Sequence, residues 1–172
     1  MSTSTLPPLS RHPMLEGLPA SALDRMSTWA REVNFGAGQS VFREGSPADA
    51  FYLLRSGKVS LSTHAPGRGA LVVQTLGAGE ALGLSWMFPP YLWQFDAQCV
   101  EGSEAFALMS SGVREELEAD PSLGYEFLKR YVPIALGRLQ QTRLRLLDLY
   151  GKGSHKEGSG EGGSGKDGEW PH

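Results

Sequence analysis

The sequence predicts a mainly β domain with flanking helices, an α+β roll or jelly roll that runs into a long C-terminal helix. Three observations carry that prediction. Between Arg31 and Met109, short runs of β-favouring residues are punctuated by Gly and Pro, the texture of a sandwich, barrel or roll. Before them, from Leu15 to Trp29, apolar residues recur at three- and four-residue steps; after Ser110 the same helical period returns. A chain of 172 residues with 40% hydrophobic content holds material for one well-buried core and too little for two full-sized domains.

Residues 1–13 mix Ser, Thr and Pro before any periodicity begins, and are expected to form a flexible leader. In the opening helix Leu15, Leu18, Ala22, Leu23, Met26 and Trp29 share a face, with Pro19 and Ser21 suited to its start. The predicted strands are 33–35, 40–42, 50–54, 58–63, 70–76, 93–100 and 104–109. Within the run 93–100, Trp93, Phe95, Ala97 and Cys99 alternate with Gln94, Asp96 and Gln98, which makes Cys99 a core thiol. Ser111 is expected to cap the following helix, with Glu115 or Glu116 favourable in its first turn. The domain is thus expected over 14–121.

From Ser122 to Tyr150 only Gly124, Pro133 and Gly137 interrupt a helical pattern. Leu128, Val132, Ala135, Leu139, Thr142, Leu146 and Leu149 follow steps of 4, 3, 4, 3, 4 and 3, the a/d spacing of a helix–helix seam. A dimerisation helix over 122–150 is expected from it, with Leu136, Leu144 and Leu147 off the seam and free to pack elsewhere. Packing of the whole helix on its own domain is the alternative. Pro133 should kink or locally break the helix, since it lacks an amide donor and crowds the preceding turn. The segment 151–172 is Gly- and Ser-rich and is expected to be disordered.

Several function classes are disfavoured. A formal net charge of −3 provides no field to draw in a phosphate backbone, so direct DNA binding is not expected. The single cysteine cannot form an internal disulfide, and with four scattered histidines it matches no metal-ligand spacing. No cofactor is expected. Ser110-Ser111-Gly112 lacks the oxyanion-type glycine run and the paired histidine of a nucleophile elbow, and no other catalytic constellation stands out. Without an apolar signal region or a membrane-length apolar stretch, the chain reads as a cytoplasmic protein that is not an enzyme.

The stretch from Phe35 to Val59, with Gly38, Gly45 and Gly57 at turns around an apolar run from Phe51 to Leu54, resembles the first half of the cyclic nucleotide-binding domain. A second match, Arg138-Leu139-Gln140-Gln141-Thr142, resembles the dimer helix of the catabolite-activator branch, and Leu147 to Gly151 resembles that branch's hinge. The resemblance implies a cyclic-nucleotide-binding-type β-roll followed by a dimerisation helix. In the catabolite-activator branch a winged helix-turn-helix follows the hinge; here 151–172 offers no amphipathic pair of helices, so a stand-alone sensor domain is expected.

In that family the nucleotide's phosphate and ribose are held by a Gly-Glu-Leu/Ala turn and by a downstream Arg followed by Ser, Ala or Thr. The matching segment places Leu84 at the glutamate position, with Ser85 next, and puts Trp93 where the arginine is expected, followed by Gln94. A register shifted by four residues makes Gly79-Glu80 the Gly-Glu pair, yet no arginine follows before Arg114. A degenerate phosphate cassette and weak cyclic AMP binding are therefore expected. The candidate ligand site comprises Gly79, Glu80, Gly83, Leu84, Ser85, Trp86, Trp93, Gln94 and Thr142. Two readings stay open on these residues. One is a homodimeric sensor that binds a nucleotide-like or other small molecule and signals to a protein partner. The other is a ligand-free module, its pocket plugged by Trp86 and Trp93, acting as an interaction or scaffold subunit.

Overall fold

The computed structural model describes residues 9–153, and two strands longer than expected organise it. Strand β1 (Ala30–Phe35) and β2 (Ser40–Phe42) are followed by β3, which runs without interruption over Ala50–Ala65 and merges two predicted strands. β4 (Gly69–Gly77) and the two-residue β5 (Ala81–Leu82) precede β6, which runs over Asp96–Met109 and merges two more. The expected interruptions face each other: Leu54 pairs with Ala105, Ser56 with Glu104 and Lys58 with Glu101, with register shifts at each step. Both Gly-containing breaks are therefore bends in one continuous ladder. Gly57, at φ +88°, passes so close that an added Cβ would lie 2.2 Å from Ser103 Oγ and 2.5 Å from the Gly102 carbonyl oxygen.

All pairings are antiparallel, in the order β1-β6-β3-β4, with β2 also on β6 and β5 on β3. The expected inward parity survives in altered form. Ala97 and Cys99 are buried in β6 while Gln98 is exposed, and burial pushes the Cys99 thiol's pKa up. Trp93 is buried too, but precedes the strand in an extended loop joined to the roll by a bridge between Pro47 and Leu92.

Three α-helices flank the roll: α1 (Ala20–Ser27), α2 (Ser110–Ala119) and α3 (Pro121–Gly153). The opening helix is shorter than expected because 9–18 form a 3₁₀ turn and a chain of tight turns that bury Leu9, Met14, Leu15 and Leu18. The leader expected over 1–13 is correspondingly corrected from Leu9 onward; 1–8 lie outside the described residues. Ser111 does not cap α2. The chain passes straight from β6 into the helix, Met109 takes the N-cap position without a side-chain cap, and Ser110 N–H is held by the Asp49 carbonyl at 2.9 Å.

Helix α3 continues through Pro133 without a break. Pro133 and Lys129 are both exposed, so water can satisfy the carbonyl that loses its amide partner. The helix also covers 151–153, the first three residues of the expected disordered tail; the remainder, 154–172, lies outside the described residues.

Its inner face is set by Leu123, Phe127 and Tyr131, all buried. Trp86, fully buried, stacks on Phe51 at 4.1 Å between centroids and meets Phe127 and Tyr131 edge-on, so four rings join β3, the loop after β5, and α3. The outer face is apolar as well: Val132, Leu136, Leu139, Leu146 and Tyr150 stay exposed, with Leu139 at 67%. Of the predicted seam residues, Val132, Leu139 and Leu146 are exposed, while Leu128, Ala135, Thr142 and Leu149 are half-buried and Ala135, Leu139 and Thr142 line a cavity beside the roll.

His12 is 5% exposed; its Nδ1 accepts the Met14 amide at 3.3 Å and its Nε2 has no partner, with Arg11 and Arg55 lining the adjoining cavity. Burial lowers its pKa from the ordinary 6.5, partly offset by the nearby Glu80 and Leu54 carbonyls. The unfolded chain therefore takes up a proton first as pH falls, and stability drops as pH decreases below about 6.5. Thermal melts of the wild type between pH 7.5 and 5 should show that drop. In His12→Gln the drop should be smaller; an equal drop would remove His12 from the cause.

Candidate functional site

The turn after β5 carries Gly83, Leu84 and Ser85, and the way they are held defines a cavity. Gly83 adopts φ +83°, and an added Cβ would sit 2.3 Å from Trp93 Cζ3, so only glycine lets the chain pass beneath that ring. Trp93 in turn stacks on Phe42 of β2 at 4.0 Å, nearly parallel. Leu84 is fixed from the other side, since its carbonyl accepts the Tyr131 hydroxyl of α3. Burial pushes the Tyr131 pKa up to about 12, so the phenol keeps its proton and remains a donor at any ordinary pH.

These elements enclose a cavity of about 360 Å³, within the usual range for a small-molecule pocket. One wall is the roll, with Phe42, Leu61, Trp93 and Phe95; the second is the turn Gly83–Ser85 with Gln94; the third is α3, with Ala135, Arg138, Leu139 and Thr142. Six of the nine predicted site residues line it: Gly83, Leu84, Ser85, Trp93, Gln94 and Thr142. The other three do not. Gly79 faces a separate cavity beside Pro13, Arg11 and His12. Glu80 folds back within its own turn, where its Oε2 accepts the Gly77 amide at 2.7 Å. Trp86 belongs to the ring cluster that docks α3, because the turn directs it inward toward Phe51 and away from this cavity. Trp86 thus lies outside the cavity, and Trp93 forms a wall beside open space.

Arg138, which the sequence shows only as part of the stretch resembling a dimer helix, supplies the cation that the degenerate cassette lacks. In the structure its Nη2 donates to the Ala81 carbonyl, and its guanidinium is the charged group among the residues lining the cavity. Burial lowers its pKa to about 10, opposed by the Glu80 carboxylate and by Tyr131, so it is cationic at neutral pH. A signal was available: Arg138 precedes Thr142 by four residues and so shares its helix face, and Thr142 Oγ1 donates to the Arg138 carbonyl at 2.9 Å. Placing Thr142 at the pocket carries Arg138 with it. Chemically, the cavity is an apolar, ring-walled slot with one cation and the polar groups of Ser85, Gln94 and Thr142 at its edges. Among the described residues no cluster of His, Cys, Asp and Glu could hold a metal ion, and no helix is long and apolar enough to cross a membrane.

Comparison with known proteins places this geometry. The profile of the family described as the cyclic nucleotide-binding domain matches residues 32–120. A CRP-like cAMP-activated global transcriptional regulator of Mycobacterium tuberculosis is 26% identical over 141 residues, which cover 82% of this chain and 61% of the relative. The chain therefore spans less than two thirds of that relative's length. Among solved structures, a cyclic nucleotide-binding protein of Geobacter metallireducens superposes with a TM-score of 0.70 at 24% identity, covering 78% of this chain and 98% of the other. The sensor domain of the transcriptional regulator DNR of Pseudomonas aeruginosa gives 0.64 at 24% identity, covering 77% and 89%. At these identities the structural likeness establishes the fold.

The contact between Gly83 and the Trp93 ring provides a direct test of the wall. Gly83→Ala should force the ring toward the cavity and strain the backbone, lowering the thermal midpoint by roughly 3–10 °C from an overpacking cost of about 1–3 kcal/mol. Circular dichroism melts read it, and an unchanged midpoint would show that the ring moves at no cost.

Proposed function

The chain belongs to the cyclic nucleotide-binding domain family, and from that premise we propose that it is a non-catalytic, cytoplasmic small-molecule sensor whose pocket has been re-tuned from the usual phosphate cassette. The observation that carries this reading is the make-up of the 360 Å³ cavity: aromatic and aliphatic walls, and Arg138 as the lining cation. A ligand suited to it is flat, ring-bearing and at most singly charged, with its ring against Trp93 and Phe95 and its anionic group toward Arg138. Trp93 occupies the segment where the resemblance places an arginine, and Arg138 already gives one donor to Ala81. The cyclic phosphate of cyclic AMP would be incompletely paired there, so weak binding is part of the proposal.

Signalling follows from which element closes the pocket. Arg138, Leu139 and Thr142 all lie on α3, and Leu139 is both a lining residue and a member of the exposed stripe. A ligand that prefers one setting of α3 over another therefore changes the surface that stripe presents. A parallel homodimer through Val132, Leu136, Leu139, Leu146 and Tyr150 is the proposed state, because a symmetric copy matches an apolar stripe with an apolar stripe. A protein partner would read the change. Direct contact with DNA is no part of the proposal for this 172-residue chain, whose formal charge is −3.

Two measurements test this. Calorimetry and thermal-shift titration with cyclic AMP, cyclic GMP and a panel of aromatic monocarboxylates should find at least one carboxylate that raises the midpoint, with cyclic AMP far weaker. Arg138→Gln should weaken the carboxylate at least tenfold, about 1.4 kcal/mol. Micromolar cyclic AMP binding would overturn the re-tuned pocket. Separately, sedimentation at tens of micromolar should give a dimer for the wild type and a folded monomer for Leu139→Glu/Leu146→Glu, which places like charges across the two-fold axis. A dimer that survives both substitutions would remove the stripe as its interface.

A further inference from the structure

The cavity between the roll and α3 is matched by a segment of this same chain. Trp170 and Pro171 are the only apolar side chains in 154–172; the other residues there are Gly, Ser, His, Lys, Asp or Glu. We infer that Trp170 docks in the cavity lined by Trp93, Phe95 and Arg138, with Glu169 toward Arg138, so that the chain carries its own competitor for the ligand. The inference rests on the reading of that cavity as a ligand site.

The make-up of the slot selects this occupant. An apolar, ring-walled space with one cation is complementary to a flat ring beside a single carboxylate, and Glu169-Trp170 provides both on adjacent residues. A tryptophan in so polar a segment has no apolar neighbour beyond Pro171 to pack on, and burial of its ring is the largest hydrophobic gain the segment can make. Arg138 forms no ion pair among the described residues. One of its donors goes to the Ala81 carbonyl, which leaves further guanidinium N–H groups for a carboxylate. The Glu80 carboxylate, which acts on Arg138 electrostatically, is itself held on the Gly77 amide at 2.7 Å.

Charge and reach agree with the chemistry. From Arg138 to its end, α3 carries Arg138, Arg143, Arg145 and Lys152 against Asp148 alone, whereas 154–172 carries Glu157, Glu161, Asp167 and Glu169 against Lys156 and Lys166. These opposite excesses attract the segment back along the helix that precedes it. Thr142, which lines the cavity, lies about 16 Å from Gly153 along α3 at roughly 1.5 Å per residue. A Gly-rich chain as long as 154–170 has an r.m.s. span of about 20–25 Å, enough to cover that return. A connection this short sets an effective concentration on the order of millimolar, so a modest fit fills the slot for much of the time.

Indole N–H cross-peaks in ¹H–¹⁵N spectra of the full chain test this. The Trp170 peak should lie away from its position in a synthetic 154–172 peptide, and Arg138→Gln should move it toward that position. Trp170→Ala should displace the Trp93 peak and leave in place that of Trp86, which lies outside the cavity. A Trp170 peak at the peptide's position would overturn the inference. So would an unmoved Trp93 peak in Trp170→Ala, which puts the ring on another surface or on a second copy. Titration with indole-3-acetate, an aromatic monocarboxylate, separates this from the sensor reading. It should bind Trp170→Ala at least about threefold more tightly than the wild type, because a competitor lowers the apparent affinity by the vacant fraction. Equal binding to both chains would keep the ligand site and remove the competitor. Binding to neither, with the Trp170 and Trp93 peaks responding as expected, would support the docking and count against the sensor reading.

Discussion

The placement of α3 against the roll rests on one aromatic contact, Trp86 stacked on Phe51 and met edge-on by Phe127 and Tyr131. These rings bring together β3, the turn after β5, and a helix whose remaining length touches the roll only lightly. Their burial contributes the largest local hydrophobic term available to that junction, of the order of 1.5–3 kcal/mol per fully buried large side chain. Further along, two and three turns on, the hydrogen bonds from Arg138 to the Ala81 carbonyl and from Gln74 of β4 to Gln141 hold the helix where Arg138 and Thr142 meet the cavity. The hydroxyl of Tyr131 then links the same cluster to the Leu84 carbonyl, so the helix dock and the pocket turn are mechanically one unit.

That arrangement gives α3 two working faces over the same few turns. One, through Ala135, Arg138 and Thr142, closes the cavity; the other, through Val132, Leu136 and Leu146, is apolar and exposed. Leu139 lies between them. A helix attached firmly at its first third and loosely afterwards is suited to pivot, because closely packed aromatic contacts resist small displacements more than solvent-facing turns do. The two arginine environments contrast in the same way. Arg138 is partly desolvated and sustained by Glu80 and a backbone carbonyl, whereas Arg114 is fixed by a ring and a carbonyl with donor capacity to spare.

By itself the sequence determined the class of fold, because hydrophobic period and turn chemistry are local properties: the β runs between Arg31 and Met109, the helical period after Ser110, and the inward parity of Ala97 and Cys99 are all present in the structure. The resemblance to the cyclic nucleotide-binding domain also located the pocket turn, since it set Gly83, Leu84 and Ser85 against the family's phosphate cassette, although the short β5 before them was not expected. What it could not determine is which side of a residue meets a distant element. Gly57 and Gly102 read as breaks, yet each is a bend in a continuous strand whose partner lies more than forty residues away. Trp86 and Trp93 looked equivalent as pocket rings; one stacks on Phe51 and docks the helix, and the other stacks on Phe42 and walls the cavity. Likewise a heptad spacing fixes a face only to within a fraction of a turn. Tertiary packing of Phe127 and Tyr131 sets the rotation of α3 so that Ala135 and Thr142 line the cavity and Arg138 comes with them, supplying the cation that the local motif lacked.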